Sequence, residues 1–201
     1  MIDYIESYDN LISIDECYSL INYFNSSTEI QKRGKVLFQG DKLINTLSKE
    51  STEISFDKKL REDIKWDSLL RPIYFGLKSA VDMYREKYSE DTDINYAGID
   101  AISRWEIEST FNMQKFEPDQ GFKIWHCESS HPSSSQRILT WMVYLNDVPD
   151  GGTHFLQQNK IMKAKVGRYV LWPPYWTHFH KSQVSKTTTK YILTGWYSFV
   201  S

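Results

Sequence analysis

The residues best suited to chemistry are His126 and Glu128, separated by Cys127, together with His178 and His180 further along in Trp176-Thr177-His178-Phe179-His180. On an extended segment, side chains two apart face the same side, so His126 and Glu128 can approach one metal ion while Cys127 points away. Two imidazoles and one carboxylate form a face that holds Fe(II) and leaves positions open for an oxidising co-substrate and O₂. A closed structural zinc site would call for four protein donors instead. A lone His-x-Glu is a weak signal, and its force here comes from its partners. His178 and His180 share parity, so the residues themselves leave both available as the third ligand. The other is expected to be an ordinary packed histidine beside Trp172, Pro173, Pro174, Tyr175 and Trp176.

Lys190 needs a separate role, because a protonated amine cannot ligate a metal. It opens the apolar run Tyr191-Ile192-Leu193-Thr194-Gly195-Trp196. A lysine turned inward there would need an anion, such as the distal carboxylate of a dicarboxylate whose other end chelates iron.

Positioning these groups falls to a chain whose periodicity changes part-way. Apolar residues at helical spacing predict a first helix over roughly 13 to 25, with Ser13 and Glu16 as a capping box. Residues 26 to 60 suggest early strands and loop. Leu69, Leu70, Ile73, Leu77, Ala80, Val81 and Tyr84 predict a long helix from Trp66 to Tyr88, with Pro72 in its first turn. Beyond Gly98 the period falls to about two. Strands are expected at Phe111 to Phe116, Phe122 to Glu128 and Arg137 to Asn146, and then, after a turn over Asp147 to Gly152, in five further short segments ending at Phe199. Helices first and short strands afterwards imply a mostly β fold, with a helical layer packed on an antiparallel double-sheet barrel.

The chain has 201 residues and no Pro/Gly/Ser-rich linker, which favours one domain, 1–201, with 1–98 supporting a barrel core over 99–201. Its 24 basic residues against 26 acidic ones provide no general field for a polyanion, so nucleic acid is not an expected partner. No apolar run approaches membrane-spanning length. Cys17 and Cys127 form no close pair, and the start Met1-Ile2-Asp3-Tyr4 does not resemble a secretory signal, so a cytoplasmic location is expected.

In this order, the residues from roughly Phe111 to Phe199 resemble the 2-oxoglutarate and Fe(II)-dependent dioxygenases, in particular their prolyl 4-hydroxylase-like branch. Arg137-x-x-Thr140-x-x-x-Tyr144-Leu145-Asn146 is similar to a family strand whose tyrosine contacts the co-substrate, and Gly151-Gly152-Thr153-His154-Phe155 is similar to its Gly-Gly turn and strand. The resemblance implies a double-stranded β-helix (jelly-roll, cupin-like) barrel. It also implies Fe(II) held by His126, Glu128 and His180, the last favoured over His178 by its ten-residue spacing to Lys190. Lys190 and Tyr144 would then bind 2-oxoglutarate. The implied reaction consumes O₂, hydroxylates a small-molecule, peptide or protein substrate, for which a prolyl residue is the family-level choice, and releases succinate and CO₂. The competing reading is a catalytically inactive barrel that binds metal or a small carboxylate. Three departures stand out. Glu128 replaces the more usual aspartate, and Lys190 replaces the arginine of some branches. Phe116 stands where many relatives carry a co-substrate-binding tyrosine, with Gln114 two residues earlier on the same face as the nominated substitute. Trp125, Trp141, Trp172, Tyr175 and Trp176 are divided between core and substrate mouth, with core the default.

Overall fold

Ser13 begins helix α1 (Ile14–Ser26) as expected: its hydroxyl accepts from Glu16 N at 3.2 Å, and Glu16 Oε2 accepts from Ser13 N at 2.9 Å. This closes the capping box and turns Cys17, Leu20, Ile21 and Phe24 inward. A short helix α2 (Lys58–Arg61) leads to the long α3 (Ile64–Ser89). The computed structural model describes residues 2–38, 41–89 and 98–200.

Pro72 differs from expectation. The Asp63 carboxylate accepts from the N–H groups of Lys65 and Trp66, so α3 starts before Trp66 and Pro72 lies in its interior. The carbonyl deprived of a partner is that of Ser68, on the exposed side, where water can serve it.

The strands are β1 (Glu6–Tyr8), β2 (Lys32–Arg33), β3 (Val36–Phe38), β4 (Asp41–Leu43), β5 (Lys49–Glu50), β6 (Thr52–Phe56), β7 (Trp105–Ile107), β8 (Phe111–Phe116), β9 (Gly121–Phe122), β10 (Arg137–Tyr144), β11 (Val148–Phe155), β12 (Lys160–Ala164), β13 (Tyr169–Trp172), β14 (His180–Ser182) and β15 (Lys190–Phe199). The major antiparallel sheet runs β1-β13-β10-β15-β8-β6-β2, with β7 also paired to β15, and a smaller sheet runs β12-β11-β14. Two-stranded pairs β3-β4 and β5-β9 complete the pairing among the described residues.

Alternation along the major sheet builds two cores. Met113, Trp141, Val143, Leu171 and Leu193 point to one face and pack with α1 and α3. Phe116, Met142, Tyr144, Val170, Trp172 and Ile192 point to the other and pack with Val148, Phe155, Met162 and Ala164 of the smaller sheet. At the helix layer, Gly76 lets α3 approach β13 closely, since a Cβ there would lie 2.3 Å from the Tyr169 hydroxyl.

The arrangement is therefore mostly sheet with a packed helical layer, and two sheets face each other across an apolar interior. Among the described residues the two sheets do not join into a closed barrel through continuous strand pairing. Two strand expectations also change. Residues 123–128 are not a regular strand: β9 ends at Phe122, and His126 makes an isolated bridge to His180. The segment after Asp147 is strand β11 with a register break between Val148 and Thr153, because the bulged strand accommodates Pro149 and the glycine pair that otherwise signal a turn. No helix among the described residues is long and apolar enough to cross a membrane.

Candidate active site

His126 and His180 are tied together by backbone before any metal is considered. His126 N donates to His180 O at 3.1 Å, and His180 N donates to His126 O at 2.9 Å. Glu128 N then donates to Pro174 O at 2.9 Å, so 126–128 stays extended although it belongs to no regular strand. His126 and Glu128 thus project to one side, and Cys127 is buried elsewhere.

Potential ligand atoms of His126, Glu128 and His180 all lie within 4.8 Å of one another. Glu128 Oε1 is 3.6 Å from His126 Nε2 and 3.4 Å from His180 Nε2. Each ring is held from behind. His126 Nδ1 lies 3.1 Å from Ile124 O, and His180 Nδ1 lies 2.9 Å from His178 O. Carbonyls accept only, so both Nδ1 atoms carry the proton and both Nε2 lone pairs face Glu128, as a metal site requires. Burial, and then the neighbouring His180, push the His126 pKa down and favour its neutral, ligating form. Burial raises the Glu128 carboxyl, but His126 and His180, when they also carry a proton at Nε2, outweigh it and hold the group well below the usual carboxylate range. Phe122 stacks on His126 with centroids 3.5 Å apart, and the Trp172 ring lies 5.1 Å from that of His180.

His178 is the packed histidine. It ends a 3-10 turn (Trp176–His178), so strand parity does not apply, and its Nε2 donates to Asp3 O at 2.9 Å. Burial pushes its pKa down, and its carbonyl holds His180.

The inner face of the major sheet carries the other nominated residues. Phe116 is in register with Lys190, and Ile192 is flanked by Gln114 on β8 and Tyr144 on β10. Lys190 is 3% exposed; its ammonium donates to Gly151 O at 2.7 Å and lies 5.3 Å from the Phe116 ring centre. Among the described residues no carboxylate pairs with it, and burial pushes its pKa down to about 8, partly offset by the charge of Asp150. The Tyr144 hydroxyl lies 2.6 Å from Thr153 Oγ1 on β11, the strand on which Phe155 pairs with His180. Gln114 is buried, with Glu53 opposite it on β6.

Three features had no forecast role. Trp196 Nε1 donates to Glu128 Oε2 at 2.9 Å, and the Arg137 guanidinium lies 3.5 Å above the Trp196 ring. Parity alone points to Trp196, because 190, 192, 194 and 196 share the inner face of β15. A Lys49–Glu53 ion pair at 2.5 Å joins residues four apart, and its burial, with Lys49 5.5 Å from the Phe122 ring centre, follows from β5 meeting β9 across a long separation. Of the aromatic group, Trp141 and Trp172 are core, Trp125 is half-buried against His154 and Lys181, and Trp176 is exposed.

Residues 111–198 match the family model described as the 2OG-Fe(II) oxygenase superfamily, where 2OG is 2-oxoglutarate. Over these residues the chain is similar to the 2OG-Fe(II) oxygenases. The match spans β8 to β15 and contains His126, Glu128, His180 and Lys190.

Solved structures resemble nearly the whole chain, helices included. The viral collagen prolyl hydroxylase of Paramecium bursaria Chlorella virus-1, in a 2OG complex, is 18% identical with a TM-score of 0.67, covering 98% of this chain and 97% of that one. A Pseudomonas putida prolyl-4-hydroxylase is 11% identical with a TM-score of 0.64, covering 99% and 94%. A Trichoplax adhaerens prolyl hydroxylase, solved with a hypoxia inducible factor oxygen degradation domain peptide fragment, is 15% identical with a TM-score of 0.67, covering 98% and 84%. At these identities the likeness is one of fold. No relative among curated proteins matches the sequence.

Proposed function

We propose that the protein is an Fe(II)- and 2-oxoglutarate-dependent dioxygenase that hydroxylates its substrate, with a prolyl residue of a peptide or protein as the first substrate class to test. The observation that carries this reading is the convergence of two oriented imidazoles and one carboxylate in a domain whose inner face also buries an ammonium that no carboxylate of the described residues pairs. The donor set fits ferrous iron, and the lysine fits a dicarboxylate, because a buried cation without a counter-ion is costly unless a ligand supplies one. Bound Fe(II) with 2-oxoglutarate and O₂ supplies the oxidising chemistry, and the co-substrate leaves as succinate and CO₂.

In this reading His126, Glu128 and His180 hold the metal. Lys190 pairs with the distal carboxylate of 2-oxoglutarate, and Tyr144 and Thr153 offer hydroxyls beside it. Phe116 is an apolar wall in place of a hydroxyl contact, and Gln114 supplies an amide on the same face. Met142, Phe155, Val170 and Trp172 keep water from the interior. We further propose that the facing sheets act as a double-stranded β-helix and that residues 1–201 work as one cytoplasmic domain. The prolyl assignment draws on the named activities of the similar structures.

The test is mass spectrometry of proline-containing peptides incubated with protein, Fe(II), 2-oxoglutarate and air. Gain of one oxygen on proline, lost without iron or 2-oxoglutarate, is expected. Succinate formation without peptide oxidation would overturn the prolyl assignment, and absence of both would overturn the oxygenase reading.

A further inference from the structure

The two oxygens of Glu128 have different surroundings. Oε1 faces both imidazole Nε2 atoms, at 3.6 and 3.4 Å, whereas Oε2 accepts from the Trp196 indole at 2.9 Å. The indole is itself propped. Arg137 lies over its ring at 3.5 Å, donates by Nη1 to Glu128 O at 3.1 Å with the same nitrogen 3.7 Å from Glu128 Oε2, and is anchored by Nε to Glu108 Oε1 at 3.0 Å. Ser198 Oγ donates to the same Glu108 oxygen at 2.6 Å. Trp196 stands in register with Thr140, which pairs in turn with Trp172 beside His180, so the clamp is built into three strands of the major sheet.

Rotation of a glutamate carboxylate about its last bond is soft and roughly two-fold, so an unheld Glu128 would offer a metal either oxygen, or both. The extra methylene relative to aspartate makes this freedom larger, and it also carries Oε2 to the indole. The geometry points to Trp196 as a positioning residue that fixes Glu128 as a one-oxygen ligand, with Arg137 as the prop that fixes the indole. A second coordinating oxygen would take a position that the co-substrate or O₂ needs. This inference rests on the reading of His126, Glu128 and His180 as the metal site.

Cobalt(II) tests it without turnover, by titration followed through its visible ligand-field absorption, which responds to coordination number. Trp196→Phe keeps an aromatic ring for Arg137 and removes the donor. It is expected to weaken Co(II) binding about 10- to 100-fold, the range for loss of an outer partner of a ligand, and to change the absorption pattern. In a Glu128→Asp background the shorter carboxylate is out of reach of the indole, so adding Trp196→Phe should change affinity by less than about twofold, a coupling read from the double-mutant cycle. Equal losses in both backgrounds with an unchanged spectrum would show a merely structural role and overturn the proposal. If Trp196→Phe does not fold, Arg137→Met leaves the donor in place and removes both its prop and the cation 3.7 Å from Oε2. A few-fold loss with the same spectral change is then expected, and wild-type affinity and spectrum would overturn the proposal. Failure of the wild-type protein to bind Co(II) in a Glu128-dependent way would instead bring down the metal-site reading, a separate outcome.

Discussion

Raising the pH from 7 to 9 should weaken 2-oxoglutarate binding about tenfold through Lys190 alone. Burial pushes this amine down to about 8, so it is about nine-tenths charged at pH 7 and about one-tenth charged at pH 9, and only the ammonium pairs with a carboxylate. The same displacement sets a stability slope. Between about 8 and the ordinary 10.5 the unfolded chain binds the proton that the folded protein has shed, so stability increases with pH across that window. The full span corresponds to roughly 3 kcal/mol. Calorimetric titration of 2-oxoglutarate into Mn(II)-loaded protein under argon reads the first effect, and urea unfolding of metal-free protein reads the second. Lys190→Met keeps the apolar stem and removes the charge. It should bind 2-oxoglutarate weakly at every pH and lose the stability slope above pH 8. Equal affinity in wild-type and Met proteins, or the same pH dependence in both, would refute the placement of the co-substrate carboxylate on Lys190.

His180→Ala should abolish Co(II) binding, whereas His178→Ala, which removes the contact to Asp3 O behind the ligand, should retain it with a few-fold loss; the reverse order in a metal titration would transfer the ligand role to His178. Gly195→Ala should lower stability by about 1–3 kcal/mol in urea unfolding, because the new Cβ would meet Trp141 Cζ2 at 2.5 Å and Phe111 Cβ at 2.8 Å in a filled core. An unchanged midpoint would mean that Trp141 repacks freely.

Local chemistry made the helices and the iron-facing pair legible. The Ser13–Glu16 box lies within four residues of sequence, and the His126–Glu128 pair needs only an extended backbone, which bonds to His180 and Pro174 supply. The inner-face assignments of Phe116, Gln114, Tyr144 and Lys190 follow from period-two strands that formed where the pattern placed them. Parity failed at His178, because a 3-10 turn there interrupts the extended chain and a contact from the distant Asp3 holds the ring. Pro149, Gly151 and Gly152 read as turn residues, yet β11 carries them at a register break. Pro72 lies past the first turn even of a helix that starts at Trp66, and the Asp63 cap ahead of the apolar stripe sets it deeper inside. Trp196–Glu128 is a contact between distant segments, and the Lys49–Glu53 pair, though only four residues apart, is buried by the distant β9; one-dimensional periodicity encodes neither.

The most direct test is succinate formation from 2-oxoglutarate by anaerobically prepared Fe(II) protein after air is admitted, beside an iron-free sample and Glu128→Ala. Iron-dependent succinate from wild type, with none from the Ala variant, is the expected result. Equal succinate from both proteins would contradict the site, and no succinate from wild type with iron and 2-oxoglutarate bound would contradict catalysis and leave a binding protein.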